Sequence, residues 1–185
     1  MSETTTIPGA LLLCLDMQGP FVGAVEGPAE VTRRCALALR AARGVGIATV
    51  LTEQAPEKLG PTIPEIASAA GDAPVLTKST FSALATPAVA ELIEELEIEH
   101  LLICGIETSI CVYQTALEAL NRDLAVTVLS DAVSARRPAD AATALTALRG
   151  HGVHVLPLES VFYALLHDTS HPFFKSFTQL VKSHA

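Results

Sequence analysis

The chain has no tryptophan, two tyrosines and six phenylalanines, so aromatic residues make up only 4% of it. That scarcity argues against an aromatic-rich β-sandwich. Basic residues are also few: 12 Lys and Arg stand against 20 Asp and Glu, a formal charge of −8. An acidic chain gains nothing from counterion release on phosphates, and Arg136-Arg137 is too short to act as a basic stripe. Nucleic acid is therefore not an expected partner. No apolar run reaches the roughly 18–20 residues that cross a bilayer, so no membrane partner is expected either. The opening MSETTTIPGA has no basic n-region and no apolar h-region. A soluble, cytoplasmic location is the expectation. The four cysteines form no CxxC pair. With Cys14 and Cys104 inside apolar runs, free thiols are expected rather than disulfides. Internal repeats and low-complexity linkers are missing as well.

Half of the 185 residues are apolar, mostly Ala, Leu and Val. One domain spanning residues 1–185 can bury a real core at this length. Short apolar runs alternate with segments of helical period. The expected strands are Ala10–Leu15, Ile47–Leu51, Val75–Leu76, Leu101–Cys104, Ala125–Leu129 and Val153–Leu156. The expected helices are Ala29–Arg43, Thr62–Ala69, Pro87–Glu94, Cys111–Asn121, Pro138–Arg149 and about 158–166. Continuous apolar strands are buried on both faces, and alternation with helices implies βαβ crossovers. The expected class is α/β: a three-layer α/β/α sandwich on a parallel sheet, Rossmann-like and doubly wound.

In such sheets ligands sit beyond the carboxyl ends of the strands. Asp16 follows the first strand, Lys78 comes two residues after the third, and Cys111 lies in the segment after the fourth. An acid, a cation and a thiol therefore converge on one rim. No histidine does: His100 and His151 precede strands, His154 lies within one, and His167, His171 and His184 belong to the C-terminal segment. A thiol at a helix N-terminus beside a lysine is expected to have a lowered pKa. Asp16 can take the thiol proton and return it to a leaving amine. Backbone N–H groups of the Glu107–Cys111 turn can hold an oxyanion. Acyl transfer to Cys111 followed by hydrolysis is the chemistry these parts suit. Against this, a lone cysteine is ordinarily a small core residue, the reading given to Cys14, Cys35 and Cys104. An Asp after a strand is ordinarily a cap, the reading given to Asp131.

The stretches LLLCLDMQGPF, LTKSTFSAL and LLICGIETSICVYQTALEAL together resemble the isochorismatase-like cysteine hydrolases, which include nicotinamidase and N-carbamoylsarcosine amidohydrolase. LTEQAPEKLGPTIPEI, SDAVSARR and LESVFYALLHDTSHPFFK bring the resemblance nearer to the branch of isochorismatase domain-containing proteins. The resemblance implies a triad of Asp16, Lys78 and Cys111 with sulfur as nucleophile. It implies a cis peptide bond at Ile106–Glu107 that turns the Glu107 N–H toward the oxyanion, beside the N–H of Cys111. It also implies a six-stranded sheet of order 3-2-1-4-5-6 and assembly as a homodimer or homotetramer.

Two departures from the family pattern matter. Metal-binding members carry Asp-x-His and a further His after the second strand, where this chain has TEQAPEKLG. Glu53 and Gln54 are poor substitutes for imidazole on a transition metal, so no metal and no cofactor is expected. The enzyme that gives the family its name lacks the cysteine, so Cys111 argues against vinyl-ether cleavage. Glu107 stands where many relatives have a small residue. It reads first as a first-turn carboxylate favoured by the helix dipole, and second as a pocket charge or partner of Lys78. Thr108 and Ser109 read as N-caps. Gln18, Phe21 and Phe81 are expected to line or support the pocket.

The functional expectation is a metal-independent hydrolase of a small amide or carbamoyl substrate. The alternative is a non-catalytic interaction or regulatory protein that kept the fold. The tail, residues 171–185, carries Phe173, Phe174, Phe177, Leu180 and Val181. It is expected to dock on the domain or on a neighbouring subunit, because exposure would leave a sizeable apolar patch.

Overall fold

Six apolar residues in succession, Ala10–Leu15, form strand β1 with every side chain buried. In the computed structural model, which describes residues 7–184, β1 is central in a six-stranded sheet. Readings made on residues 1–6 and Ala185 lie outside the described residues. The other strands are β2 (Ala48–Gln54), β3 (Val75–Lys78), β4 (His100–Ile106), β5 (Ala125–Ser134) and β6 (His154–Leu156). All pair in parallel, in the order β3-β2-β1-β4-β5-β6, as expected.

Helices α1 (Gly19–Val22), α2 (Pro28–Val45), α3 (Pro56–Leu59), α4 (Pro64–Ala70) and α5 (Pro87–Glu95) occupy the first half of the chain. Helices α6 (Tyr113–Asn121), α7 (Pro138–Gly150), α8 (Leu158–Leu166) and α9 (Phe174–Ser183) complete the set. Pro28, Pro56, Pro64, Pro87 and Pro138 each open a helix, where a missing N–H costs nothing and a fixed φ suits the first turn. The alternating side chains of β1 divide the core. Leu12 and Cys14 pack toward α2, α4, α8 and α9, while Leu11, Leu13 and Leu15 pack toward α5, α6 and α7.

Four strands run past the ends expected from their apolar residues. Thr52, Glu53 and Gln54 keep pairing with Leu76, Thr77 and Lys78, and Val133 and Ser134 pair with Gly105 and Ile106. Main-chain pairing needs no apolar side chain, so the hydrophobic pattern ends before the strand does. Lys78 is therefore the last residue of β3 rather than a loop residue. Asp131 lies inside β5, and its Oδ1 accepts from the Leu158 N–H at 2.7 Å, capping α8.

One close approach fixes how β1 and β4 end. Gly105 has φ +108°, and a Cβ there would fall 2.2 Å from Leu15 O. No side chain fits between these strands at the point where each turns into the site. On the far side of the molecule the Phe173 ring lies on Gly44 of α2, so close that a Cβ would meet it at 1.9 Å. Phe177 is fully buried, 5.7 Å from the Phe162 ring and edge-on to Tyr163 at 4.9 Å. The tail helix thus packs on this chain's own α2 and α8, consistent with its large apolar content. Among the described residues no helix is long and apolar enough to cross a membrane.

Candidate active site

The ends of β1, β3 and β4 bring Asp16, Lys78 and Cys111 together. Asp16 is the first residue past β1 and takes a left-handed φ of 53°, a conformation Asp tolerates better than most residues. Its N–H donates to Thr52 O at 3.1 Å, and its O accepts from the Gln18 N–H at 2.7 Å. Its Oδ1 accepts from Thr52 Oγ1 at 2.7 Å. Lys78 Nζ stands 2.7 Å from Asp16 Oδ2, an ionic contact rather than an aligned hydrogen bond. Both side chains are 0% exposed. Nζ donates further to Gln54 Oε1 at 2.6 Å, Thr80 O at 3.1 Å and Cys111 Sγ at 3.6 Å. The buried ammonium is thus fully surrounded by acceptors, as a charge withdrawn from water requires.

Cys111 does not open an α-helix. It is the fourth residue of a π-helical turn, Thr108–Val112, that precedes α6, and the peptide bond from Ile106 to Glu107 is cis. The thiol pKa is not lowered, as expected from sequence, but pushed up to about 12. Burial is the largest cause, and the Asp16 carboxylate adds to it; Lys78 and the Glu107 backbone pull the other way without prevailing. Burial also raises the Asp16 carboxyl, against the pull of Lys78, Thr52 and the Cys111 thiol. The resting site therefore holds a neutral thiol next to a carboxylate able to accept its proton.

Sulfur sits on a cavity of about 320 Å³. Phe21, Phe81, Ile106 and Ile110 give it apolar walls, and Gln54, Glu107 and Arg136 give it polar ones. Phe81 is 57% exposed, an apolar ring held at the mouth. Gln18 does not line the cavity. Its Nε2 donates to Gln54 O (3.1 Å) and Gly60 O (2.6 Å), and its Oε1 accepts from the Gln54 N–H (2.7 Å), so it braces the end of β2. Glu107 stands at the N-cap of the turn, where the helix dipole favours a carboxylate, and it does not pair with Lys78. Its Oε2 takes the Arg136 Nε at 2.9 Å. Thr108 and Ser109 are not caps: Glu107 holds the N-cap position without a side-chain bond, and Thr108 Oγ1 is buried without a hydrogen-bond partner.

Sequence reasoning missed Arg136 and Gln54 as site residues. Arg136 comes two residues past the end of β5, a position whose significance depends on knowing that the strand reaches Ser134. Gln54 and Glu53 stand where metal-binding relatives carry Asp-x-His, and neither fits that use. Gln54 Oε1 is taken by Lys78, and Glu53 Oε1 accepts from the Thr62 N–H at 2.7 Å. Among the histidines, His100 bonds Thr127 Oγ1 at 2.8 Å at the opposite end of the sheet. Thr52 gives a direct test of the network. Thr52→Val keeps the shape and removes one hydrogen bond to a charged group, so it is expected to cost about 1.5–3 kcal/mol in urea unfolding.

Comparison with known proteins agrees with this architecture. The chain is 40% identical over 178 residues to isochorismatase domain-containing protein 2 of Bos taurus, covering 95% of this chain and 85% of that one. A solved structure described as MAR1 ribonuclease from Caenorhabditis elegans superposes with a TM-score of 0.88 at 29% identity, over 95% of this chain and 92% of that one. The YcaC gene product of Escherichia coli, described as an octameric hydrolase of unknown specificity, shares the fold at 20% identity and a TM-score of 0.83, over 100% and 98% of the two chains. The Isochorismatase domain model matches residues 10–160, and the chain belongs to the isochorismatase family of hydrolase folds.

Proposed function

We propose that the chain is a metal-independent cysteine hydrolase that cleaves the C–N bond of a small amide or carbamoyl compound through an acyl-enzyme on Cys111. The observation that carries this reading is the position of Lys78 Nζ, 2.7 Å from Asp16 Oδ2 and 3.6 Å from Cys111 Sγ, with the sulfur itself facing an open cavity. Because the thiol is neutral at rest, its proton passes to Asp16 as sulfur bonds the carbonyl carbon. Lys78 stays charged and offsets the charge that develops on sulfur. The oxyanion falls to the Glu107 and Cys111 N–H groups. As the C–N bond breaks, Asp16 gives its proton to the leaving amine. Water then attacks the thioester carbon, Asp16 takes the water's proton, and sulfur departs with it to restore the thiol.

The alternative, a non-catalytic interaction protein, predicts a filled or closed pocket beside Cys111. The cavity is open and falls in the range of small-molecule sites, roughly 300–1,000 Å³. The test is a library of small amides followed by intact-mass analysis. Wild type is expected to accumulate an acyl adduct on Cys111 and to release acid and amine; Cys111→Ala should do neither. Iodoacetamide should modify Cys111 before the closed-off Cys14, Cys35 and Cys104. A Cys111 that iodoacetamide reaches but no amide acylates would sink the hydrolase reading in favour of the alternative.

The Caenorhabditis elegans neighbour's description favours a second reading, RNA cleavage. A formal charge of −8 stands against it. RNA binding that weakens steeply with added salt would overturn that judgement. The hydrolase reading also has the chain as a homodimer or homotetramer. Val75 and Leu156, exposed on the two outer strands, support contact between copies, which sedimentation velocity would register.

A further inference from the structure

Three of the four cysteines take no part in the site above, yet they meet. Cys14 on β1 and Cys104 on β4 are register partners, and Cys35 reaches them from α2. Their sulfurs lie within 4.8 Å of one another. All three are buried, at 1%, 0% and 0% exposure. Cys35 Sγ donates to Ala132 O at 3.2 Å. Elsewhere α2 lays Ala38, Ala41 and Ala42 in the core. Among the described residues no other trio of His, Cys, Asp and Glu side chains is close enough to share an ion.

We propose that Cys14, Cys35 and Cys104 form a closed, three-sulfur site for a soft monovalent ion of the Cu(I) class. Geometry comes first: metal–sulfur bonds of about 2.3 Å put the sulfurs of a trigonal site about 4 Å apart, so the triangle needs little adjustment. Ligand softness comes second, because thiolates alone select Cu(I) over the harder divalent ions. Coordination number is third. Zinc wants four ligands, and no histidine or carboxylate joins this triangle. Each sulfur that bonds the ion surrenders its proton to solvent, because the thiolate is the ligand form. No electron moves in this exchange. The ion would brace β1, β4 and α2 one or two residues before Asp16 and Gly105.

The experiment is an anaerobic titration of the reduced full chain with Cu(I) against a chromogenic Cu(I) chelator, with Cys111→Ala as the background that removes the competing thiol. One copper per chain is expected, with a sulfur-only shell of three ligands by X-ray absorption. Cys35→Ala in that background should weaken binding at least about 100-fold, and circular dichroism should show both chains folded. If Cys35→Ala does not fold, Cys14→Ala takes its place. The X-ray absorption result on the parent chain needs no such variant. Copper held by fewer than three sulfurs, or affinity untouched by losing Cys35 or Cys14, overturns the site. Tighter capture of Zn(II) or arsenite by the same triangle overturns the choice of ion.

Discussion

Asp16→Asn is expected to lower turnover of the amide found by screening by about 10²–10⁴-fold, while making the Cys111 thiol easier to ionise. The two effects have one origin. The carboxylate receives the thiol proton during attack, and its negative charge also holds the thiol pKa up. Asparagine removes the acceptor and the repulsion together. Spectroscopic titration of the thiolate should therefore show the Cys111 midpoint falling from about 12, although the enzyme is slower. A residue that merely positions its neighbours would slow turnover without moving the midpoint. The substitution also strands Lys78, whose ammonium is 0% exposed and would lose its carboxylate. Breaking a buried pair costs about 3–5 kcal/mol, so urea unfolding must accompany the kinetics. The double variant Asp16→Asn with Lys78→Met removes both charges and should recover much of that stability without recovering turnover.

Between pH 9 and 12 wild type should lose about 4 kcal/mol of stability relative to Cys111→Ala. The folded thiol titrates at about 12, against 9.0 for an unperturbed cysteine. Below pH 9 the thiol is protonated in folded and unfolded chains alike, so its contribution is fully present. As pH climbs from 9 toward 12 the unfolded thiol ionises while the folded one resists, and the unfolded state gains. Wild type therefore loses stability across that window, and Cys111→Ala escapes this part of the loss. The two curves of unfolding free energy should converge or cross above pH 9; parallel curves would mean that burial does not hold the proton on sulfur.

The fold was legible because its strands are continuous apolar runs, and ALLLCL admits few other readings. Asp16, Lys78 and Cys111 were legible as a rim for the same reason: each follows or ends such a run. What escaped was whatever depends on neighbours across space. The direction of the Cys111 shift turns on how deeply the turn is buried, which the pattern GIETSIC does not reveal. Arg136 looked like half of a short basic pair until β5 was seen to extend to Ser134, setting it against Glu107. Cys14, Cys35 and Cys104 each read correctly as core residues taken singly. Their meeting depends on the rotation of α2 over the sheet, and helical periodicity gives a face but not the residue it touches.

The absence of a side chain at position 105 has a further consequence for how this pocket could change its ligand. With backbone against backbone at Leu15, the seam between β1 and β4 behaves as a welded joint that neither selection nor an engineer can widen by exchanging residues. New selectivity has to be written at the mouth, in Phe21, Phe81, Ile110 and Arg136. Those four positions are where a search for altered substrates should spend its diversity.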